Sequence, residues 1–193
     1  KNSQIIIWTT TPWTIPGNRA VAYKGNLKYV VLEIKKVKEG SLAKISDKVV
    51  VAEDLIDSFV NETSIDEYDV NSSFVGKELD GTVLKHPLFE KGYDFDVPLL
   101  EADFVTTEQG TGFVHIAPGH GADDFELGRK HSLETLETVE DNGFLKDMLP
   151  LFGGLHVLRD NEKIADILSN NNCLVGRGMI NHSYPHSWRS KAP

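Results

Sequence analysis

Two polar segments, about a hundred residues apart, carry most of the side chains that could bind a ligand or take part in a reaction. The first, residues 8–18, includes three consecutive threonines, and the second, residues 110–124, includes two histidines and two aspartates. Each is predicted to combine a strand with a proline- or glycine-containing turn, so the two sets of side chains can converge at one end of a sheet. Such hydroxyls, imidazoles and carboxylates would suit a small polar ligand with a cationic group.

The threonines of the first segment end a predicted strand over residues 4–10. Because successive side chains of a strand point to opposite faces, Thr9 and Thr11 should share a face unless the following proline turn reorients one of them. Threonine is also favoured in strands for packing reasons alone. A purely structural role for Thr9, Thr10 and Thr11 is therefore an alternative.

The histidines and aspartates of the second segment permit several interpretations. His115 and His120 flank a proline–glycine turn and could border one pocket. Asp123 and Asp124 fall in the first turn of a predicted helix over residues 122–131, where carboxylates complement the helix dipole. The four side chains could instead ligate a divalent ion, which would make the chain a metal-dependent hydrolase. No glycine-rich phosphate loop is present, so ATP chemistry is not expected.

The composition of the chain limits the kinds of protein that it can be. With 193 residues and 40% apolar content, the chain is long enough for a single domain over residues 1–193, and no apolar run is long enough to cross a bilayer. The only cysteine, Cys173, lies in an apolar context, is predicted to be packed and is consistent with a reducing, cytoplasmic setting. The net charge of −9 argues against a generic nucleic-acid binder, but not against a small contact with a single-stranded end.

Hydrophobic patterning predicts helices and several short strands of the kind found in a barrel or a sandwich. The fold that we expect is α/β (α+β), with a barrel-like β core and peripheral helices. Strands are predicted over 4–10, 19–23, 28–36, within 74–84 and 93–105, over 113–116 and 134–139, and from 175 onward. A strand leading into a helix is predicted within 47–61, and further helices over 122–131 and 159–170. Because the chain starts at Lys1 with no leader or initiator methionine, we expect it to be a piece of a larger protein.

In order and separation, these motifs resemble those of the editing domain inserted into the catalytic domain of isoleucyl-tRNA synthetase, a class I enzyme. The matching stretches are Trp8-Thr9-Thr10-Thr11-Pro12-Trp13-Thr14 with Pro16 and Asn18, residues 110–124, and the exit segment 183–193. They span essentially the whole chain. The threonine motif and the Pro118-Gly119-His120-Gly121 turn resemble the corresponding segments of the isoleucine enzyme. The valine and leucine enzymes typically carry an arginine in the threonine motif.

The resemblance implies hydrolysis of valine wrongly attached to isoleucine tRNA, with valyl-adenylate as a second possible substrate. A binding pocket discriminates one methylene by only about 1–3 kcal/mol, a limit for which isoleucyl-tRNA synthetase is itself the standard example, so a second sieve is needed. The implied partners are the 3′ end of aminoacylated tRNA(Ile) and the remainder of the parent synthetase. No cofactor, no metal and no synthetase activity of the chain alone are expected.

The resemblance also implies roles for individual residues. Asp124 would hold the substrate α-ammonium, and His115 and Thr14 would limit the size of the side-chain pocket. The terminal adenosine, and the ester or its attacking water, would be contacted by Trp8, Thr9, Thr10, Thr11 and Asn18. Either His115 or the free ribose hydroxyl of the substrate could orient the water, and we favour the hydroxyl. A noncatalytic module that only grips an aminoacyl-adenosine is a further alternative.

Overall fold

Two four-stranded sheets form the centre of the protein in the computed structural model, which describes residues 3–178. In chain order the strands are β1 Gln4–Ile5, β2 Ala20–Tyr23, β3 Lys28–Val37, β4 Lys48–Ala52, β5 Ile65–Val75, β6 Val83–Lys85, β7 Asp96–Glu101 and β8 Val114–Ile116. The helices are α1 Ile56–Glu62, α2 Ala122–Lys130 and α3 Asn161–Asn170, with short 3-10 helices at Pro12–Gly17, Glu53–Leu55 and Gly76–Leu79. The sheet orders are β1-β4-β3-β5 and β6-β7-β2-β8.

The first sheet separates two hydrophobic clusters because the side chains of β3 alternate between its faces. Val30, Leu32 and Ile34 are buried on one face and pack in the cluster that contains Phe59 of α1. Tyr29 is buried in a different cluster, together with residues of the second sheet. The sheet is therefore covered by α1 on one side and by the second sheet on the other.

The second sheet is organised around β2, all four residues of which are buried. β2 pairs in parallel with β7 and antiparallel with β8, where Val21 lies opposite His115 and Ala20 opposite Ile116. Ala20 and Ile116 pack with Leu127 of α2, whereas Val21 belongs to the cluster between the sheets. Strand alternation therefore directs His115 away from α2 and towards the space between the sheets.

Tyr29 joins the first sheet to the segment that leads into β8. Its hydroxyl donates to the Gly112 carbonyl at 2.8 Å and accepts the Lys24 amide at 3.1 Å. Gly112 has φ of +80°, and a Cβ there would lie 2.4 Å from the Cβ of Ala52, so only glycine fits. This contact sets where β8, and with it His115, begins.

The predicted mixture of strands and helices is confirmed, but a barrel-like core is not. Among residues 3–178 the strands form two separate sheets and no closed barrel. The helices predicted over 122–131 and 159–170 are present as α2 and α3. Cys173 packs against the hydrophobic cluster that includes Ile164 and Leu168 of α3, as predicted.

Several strand predictions were wrong. The strand expected over 4–10 ends at Ile5, and the next residue has its carbonyl bonded by the Thr111 hydroxyl at 2.5 Å. The strand expected over 134–139 is reduced to an isolated bridge at Val139. Most of β5 was missed, because most of its residues are exposed and the hydrophobic alternation that marks a strand is therefore weak. Residues 175–178 form no strand, and the rest of the predicted tail lies outside the described residues.

No helix within residues 3–178 combines the length and the apolar character that crossing a bilayer would require.

Replacing Tyr29 by phenylalanine should lower the free energy of unfolding by about 1–3 kcal/mol, because the buried Gly112 carbonyl loses its hydroxyl donor. Urea denaturation of Tyr29→Phe measures the change. The matched control is Tyr68→Phe, at a half-buried tyrosine of β5, which should stay within about 0.5 kcal/mol of the parent. Equal costs at the two positions would contradict the anchoring role of Tyr29.

Candidate functional site

A cavity of about 320 Å³ lies where the two polar segments meet. From the first segment, its wall includes Trp8, Thr9, Thr10, Thr11 and Thr14. From the second, it includes His115, His120 and Asp124. The structure thus brings together side chains that are about a hundred residues apart in the chain. The volume of the cavity lies at the lower end of the range usual for small-molecule sites.

The threonines adopt a local hydrogen-bonded arrangement. The Thr9 hydroxyl accepts the Thr11 amide at 3.0 Å and lies 3.3 Å from the Thr11 hydroxyl, so both hydroxyls lie on the same side of the chain. The 3-10 helix Pro12–Gly17 follows directly, with proline in its first turn, where a missing N–H costs nothing. This short helix carries Thr14 to the inner end of the cavity.

Thr14 and His115 form a buried pair there. The Thr14 hydroxyl lies 2.8 Å from Nε2 of His115 and donates to the Thr11 carbonyl at 2.9 Å. On the other side of the ring, the Asn18 amide nitrogen lies 2.9 Å from Nδ1 and also donates to the Ala20 carbonyl at 3.2 Å. The imidazole is therefore held at both nitrogens.

These contacts determine which ring nitrogen of His115 carries the proton. A carbonyl only accepts, so the bond to Ala20 orients the Asn18 amide with its N–H₂ towards Nδ1. Nδ1 then accepts, and the proton lies on Nε2, which donates to Thr14. Burial, reinforced by His120, lowers the pKa of His115 from 6.5 to about 4, so the ring is neutral near neutral pH.

Asp124 supplies the carboxylate of the cavity from the first turn of α2. Its Oδ1 accepts the Ala117 amide at 2.7 Å. Burial raises the pKa of the Asp124 carboxyl above its usual 3.8, while the hydrogen bond from Ala117 acts in the opposite direction. A Cβ at Gly121 would lie 2.3 Å from the second carboxylate oxygen, so a larger residue there would displace the Asp124 side chain. Asp123 is exposed and lies outside the wall of the cavity.

His120 lines the cavity, but one of its ring nitrogens is used elsewhere. Nε2 lies 2.5 Å from the hydroxyl of the fully buried Thr138, and the ring packs edge-on against Trp13 at 5.2 Å. Burial lowers the pKa of His120 below its usual value. Within residues 3–178, no three histidine, cysteine, aspartate or glutamate side chains are grouped as a metal ion would need. The metal-dependent alternative therefore finds no ligand set in this part of the chain.

The position of Asn18 does not match the ligand contact that was predicted for it. Sequence reasoning placed it against the terminal adenosine, but the side chain is only 4% exposed, and its amide is bonded behind the His115 ring. Its structural role is to orient His115. No sequence motif pointed to two further residues: Thr138, which is bonded to His120, and Phe104, which forms part of the cavity wall. Segment 183–193, the third part of the resemblance, lies outside the described residues.

Behind the site, His86 supports the 3-10 helix that carries Thr14. Its Nε2 lies 3.0 Å from the Ile15 carbonyl, and its Nδ1 accepts the Leu88 amide at 3.1 Å. Burial lowers the pKa of His86 to about 4. The ring stacks on Tyr93 at 4.6 Å, within the cluster that also holds Ile15. A second neutral histidine therefore fixes the far side of this helix.

A family model described as "Leucyl-tRNA synthetase, editing domain" matches residues 2–149, which is more than half of the chain. The chain belongs to this family of editing domains.

Curated relatives point to a particular synthetase. The chain is 47% identical over its whole length to isoleucine–tRNA ligase of Pelagibacter ubique, and 45% identical over 97% of its length to that of Gluconobacter oxydans. In each case the chain spans 21% of the relative, so it corresponds to about a fifth of those proteins.

Solved structures share the fold of this editing domain. The crystal structure of GlLeuRS-CP1 superimposes with a TM-score of 0.68 at 16% identity, covering 93% of this chain and 86% of that one. The P. knowlesi cytosolic leucyl-tRNA synthetase editing domain gives a TM-score of 0.65 at 13% identity, covering 87% and 81%. The described elements therefore follow the architecture of known editing domains.

Acidification should destabilise this editing domain well above the pH at which its carboxylates titrate. His86 and His115 have pKa values of about 4 in the folded state and 6.5 as the ordinary value, so between these limits the unfolded chain binds more protons. The free energy of unfolding should therefore fall as pH falls through this window, by up to about 1.4 kcal/mol per pH unit for each histidine. The raised pKa of Asp124 acts weakly in the opposite direction.

The measurement is a series of urea denaturations between about pH 7 and pH 5. In His86→Gln the dependence on pH should be shallower than in the parent, whatever the change in overall stability. The control His131→Gln, at an exposed histidine, should keep the slope of the parent. Identical slopes in His86→Gln and the parent would show that His86 is protonated equally in both states.

Proposed function

We propose that this chain is the editing domain of an isoleucyl-tRNA synthetase and hydrolyses the ester between valine and tRNA(Ile), with valyl-adenylate as a second substrate. One observation carries the proposal: a cavity of about 320 Å³ has a carboxylate and threonine hydroxyls around a rigid, buried Thr14–His115 pair. The 40–47% identity to isoleucine–tRNA ligases supports the choice of amino acid.

Asp124 is the anchor for the substrate amine. A free α-ammonium group forms a charge-assisted hydrogen bond with a carboxylate, and a blocked amine does not. The Ala117 amide occupies Oδ1 and so orients the carboxylate within the cavity wall. This anchor holds the aminoacyl group by the feature that all aminoacyl esters share, and leaves selection to the side-chain pocket.

The Thr14–His115 pair forms the wall that limits the size of the substrate side chain. Its hydrogen bonds run from Asn18 through His115 and Thr14 to the Thr11 carbonyl, and none of these groups is free to move without breaking one. Forcing an extra methylene against a packed wall costs about 1–3 kcal/mol. The wall therefore admits the isopropyl group of valine and opposes the longer side chain of isoleucine.

His115 is poorly suited to be the general base. Its one acceptor nitrogen already receives the Asn18 amide, and the pKa of its imidazole is about 4. A base must offer a free lone pair to the water that it deprotonates. We therefore assign orientation of the water to the free ribose hydroxyl of the substrate, helped by the hydroxyls of Thr9, Thr10 and Thr11. Positioning contributes much of the rate for an activated ester.

The remaining recognition is assigned to other parts of the synthetase. Phosphate contacts by lysine and arginine dominate nucleic-acid affinity, and a chain with a net charge of −9 offers few of them in excess. This domain thus takes the 3′ end of the aminoacylated tRNA, and the remainder of the parent synthetase holds the body of the tRNA.

Removing the Asp124 charge should reduce deacylation of Val-tRNA(Ile) by roughly 30-fold or more, because a buried charged hydrogen bond contributes about 2–5 kcal/mol. Asp124→Asn is the sharper variant, since its oxygen can still accept the Ala117 amide and support the turn. Asp124→Ala should lose at least as much. Release of valine from the charged tRNA under multiple turnover measures the effect.

Glu140→Ala is the matched control, because it removes an exposed carboxylate outside the cavity wall and should leave deacylation within about twofold of the parent. Parent-like cleavage by Asp124→Asn would refute the assigned anchor. Tight binding of the charged tRNA by the parent without any turnover would favour the noncatalytic binding module instead.

Thr14→Ala and His115→Ala should enlarge the pocket and let the domain attack correctly charged Ile-tRNA(Ile). The rate on Ile-tRNA should rise by roughly 5- to 150-fold, because relief of a clash of about 1–3 kcal/mol corresponds to that range. Asn18→Ala should have a smaller effect in the same direction, since it frees the His115 ring without removing it.

The control for the pocket variants is His131→Ala, at an exposed histidine outside the cavity, which should continue to reject isoleucine. Circular dichroism checks that each variant is folded. Unchanged rejection of isoleucine by folded Thr14→Ala and His115→Ala would show that this pair does not exclude isoleucine from the pocket.

A further inference from the structure

A second concavity adjoins the cavity at the N-terminal turn of α2. It has a volume of about 630 Å³ and is open to solvent, and Ala102 and Leu127, each only 7% exposed, belong to its wall. Asp123 lines this depression, whereas its neighbour Asp124 lines the cavity. The first turn of α2 thus separates two adjoining spaces.

Phe104 is the residue that the two spaces share. It is part of the wall of both, and 37% of its surface is exposed. An exposed aromatic ring between two concavities offers a flat apolar face to a ligand that extends from one into the other. Nucleobases stack on such rings with little dependence on sequence, by about 1–3 kcal/mol for each base.

The charges around the depression limit what it can hold. Four carboxylates lie on its wall together with two cations at the last turn of α2: Glu101, Asp103, Asp123 and Glu126, with Arg129 and Lys130. Arg129 is already paired with Glu126 at 2.8 Å. A surface with this balance is a poor site for a bare phosphate group. It can accept hydrogen bonds from an exocyclic amino group, as carboxylates do with cytosine.

We propose that this depression is the subsite for the nucleotide that precedes the terminal adenosine, with its base stacked on Phe104. The inference rests on the proposed function, because it requires the terminal adenosine to occupy the neighbouring cavity. The base then lies above Ala102 and Leu127. Phe104 thereby becomes a substrate-binding residue that the polar motifs do not reveal.

The test compares three nonhydrolysable probes that carry valine in amide linkage on 2′-amino-2′-deoxyadenosine. The first is the nucleoside alone, the second has a 5′-linked cytidylyl residue, and the third has the same phosphodiester with an abasic sugar. Calorimetric titration of the 193-residue chain gives the three dissociation constants. We expect the cytidylyl probe to bind at least about fivefold more tightly than the nucleoside, and the abasic probe to show no such gain.

Phe104→Ala should abolish the gain of the cytidylyl probe over the nucleoside, and Phe104→Trp should retain it, because tryptophan preserves a stacking face. The matched control is Phe125→Ala, which removes a phenylalanine of α2 that is 45% exposed and belongs to neither wall. This variant should keep the full gain. The ratio of the dissociation constants of the two probes, measured on the same variant, cancels any general effect of Phe104 on the cavity.

The outcomes separate the two proposals. Binding of the nucleoside probe with no gain from the cytidylyl residue overturns the subsite and leaves the editing function standing. An equal gain with the abasic probe shows a phosphate contact in place of stacking and also overturns it, as does an unchanged gain in Phe104→Ala. Failure of the nucleoside probe to bind the parent chain refutes the proposed function, and the subsite with it.

Discussion

The geometry of the candidate site depends on a chain of hydrogen bonds that passes through a buried, neutral imidazole. Asn18 donates to Nδ1 of His115, Nε2 donates to Thr14, and the Thr14 hydroxyl donates to the Thr11 carbonyl. Each donor has a defined acceptor, so the ring has one tautomer and one orientation. Burial keeps the ring uncharged, and this preserves the pattern at neutral pH. A wall constrained in this manner can discriminate by shape, because it cannot yield without losing a buried hydrogen bond.

The two ends of this hydrogen-bond network belong to parts of the fold that are stabilised separately. Thr14 lies on a 3-10 helix held from behind by His86 and by a hydrophobic cluster around α3. His115 lies on β8, which is paired with β2 and preceded by a glycine bonded to Tyr29. Their relative position is therefore set by the packing of both sheets. Since misplacement by about 1 Å can cost about a hundredfold in rate, substitutions far from the cavity can impair the site.

The predictions that succeeded were those decided by short stretches of sequence. The common side of Thr9 and Thr11 is set by local hydrogen bonds between these two residues, although no strand reaches them. The start of α2 at the aspartate pair depends on the helix dipole. Failures occurred where a neighbour in space decides the outcome. β5 is stabilised by its long pairing with β3, although its own side chains are mostly exposed. Asn18 was assigned to a ligand because its sequence position gave no indication that the His115 ring would cover it.

The sequence by itself determined the chemical inventory of this protein: the hydroxyls, the imidazoles, the carboxylates, the acidic net charge and the motifs that mark an editing domain. Only the tertiary structure decided how these groups divide their roles. Adjacent aspartates on one helix turn face different spaces, and two histidines five residues apart have different partners. The physical reason is that burial and hydrogen-bond geometry depend on residues distant in sequence, which the packing of the two sheets brings into contact.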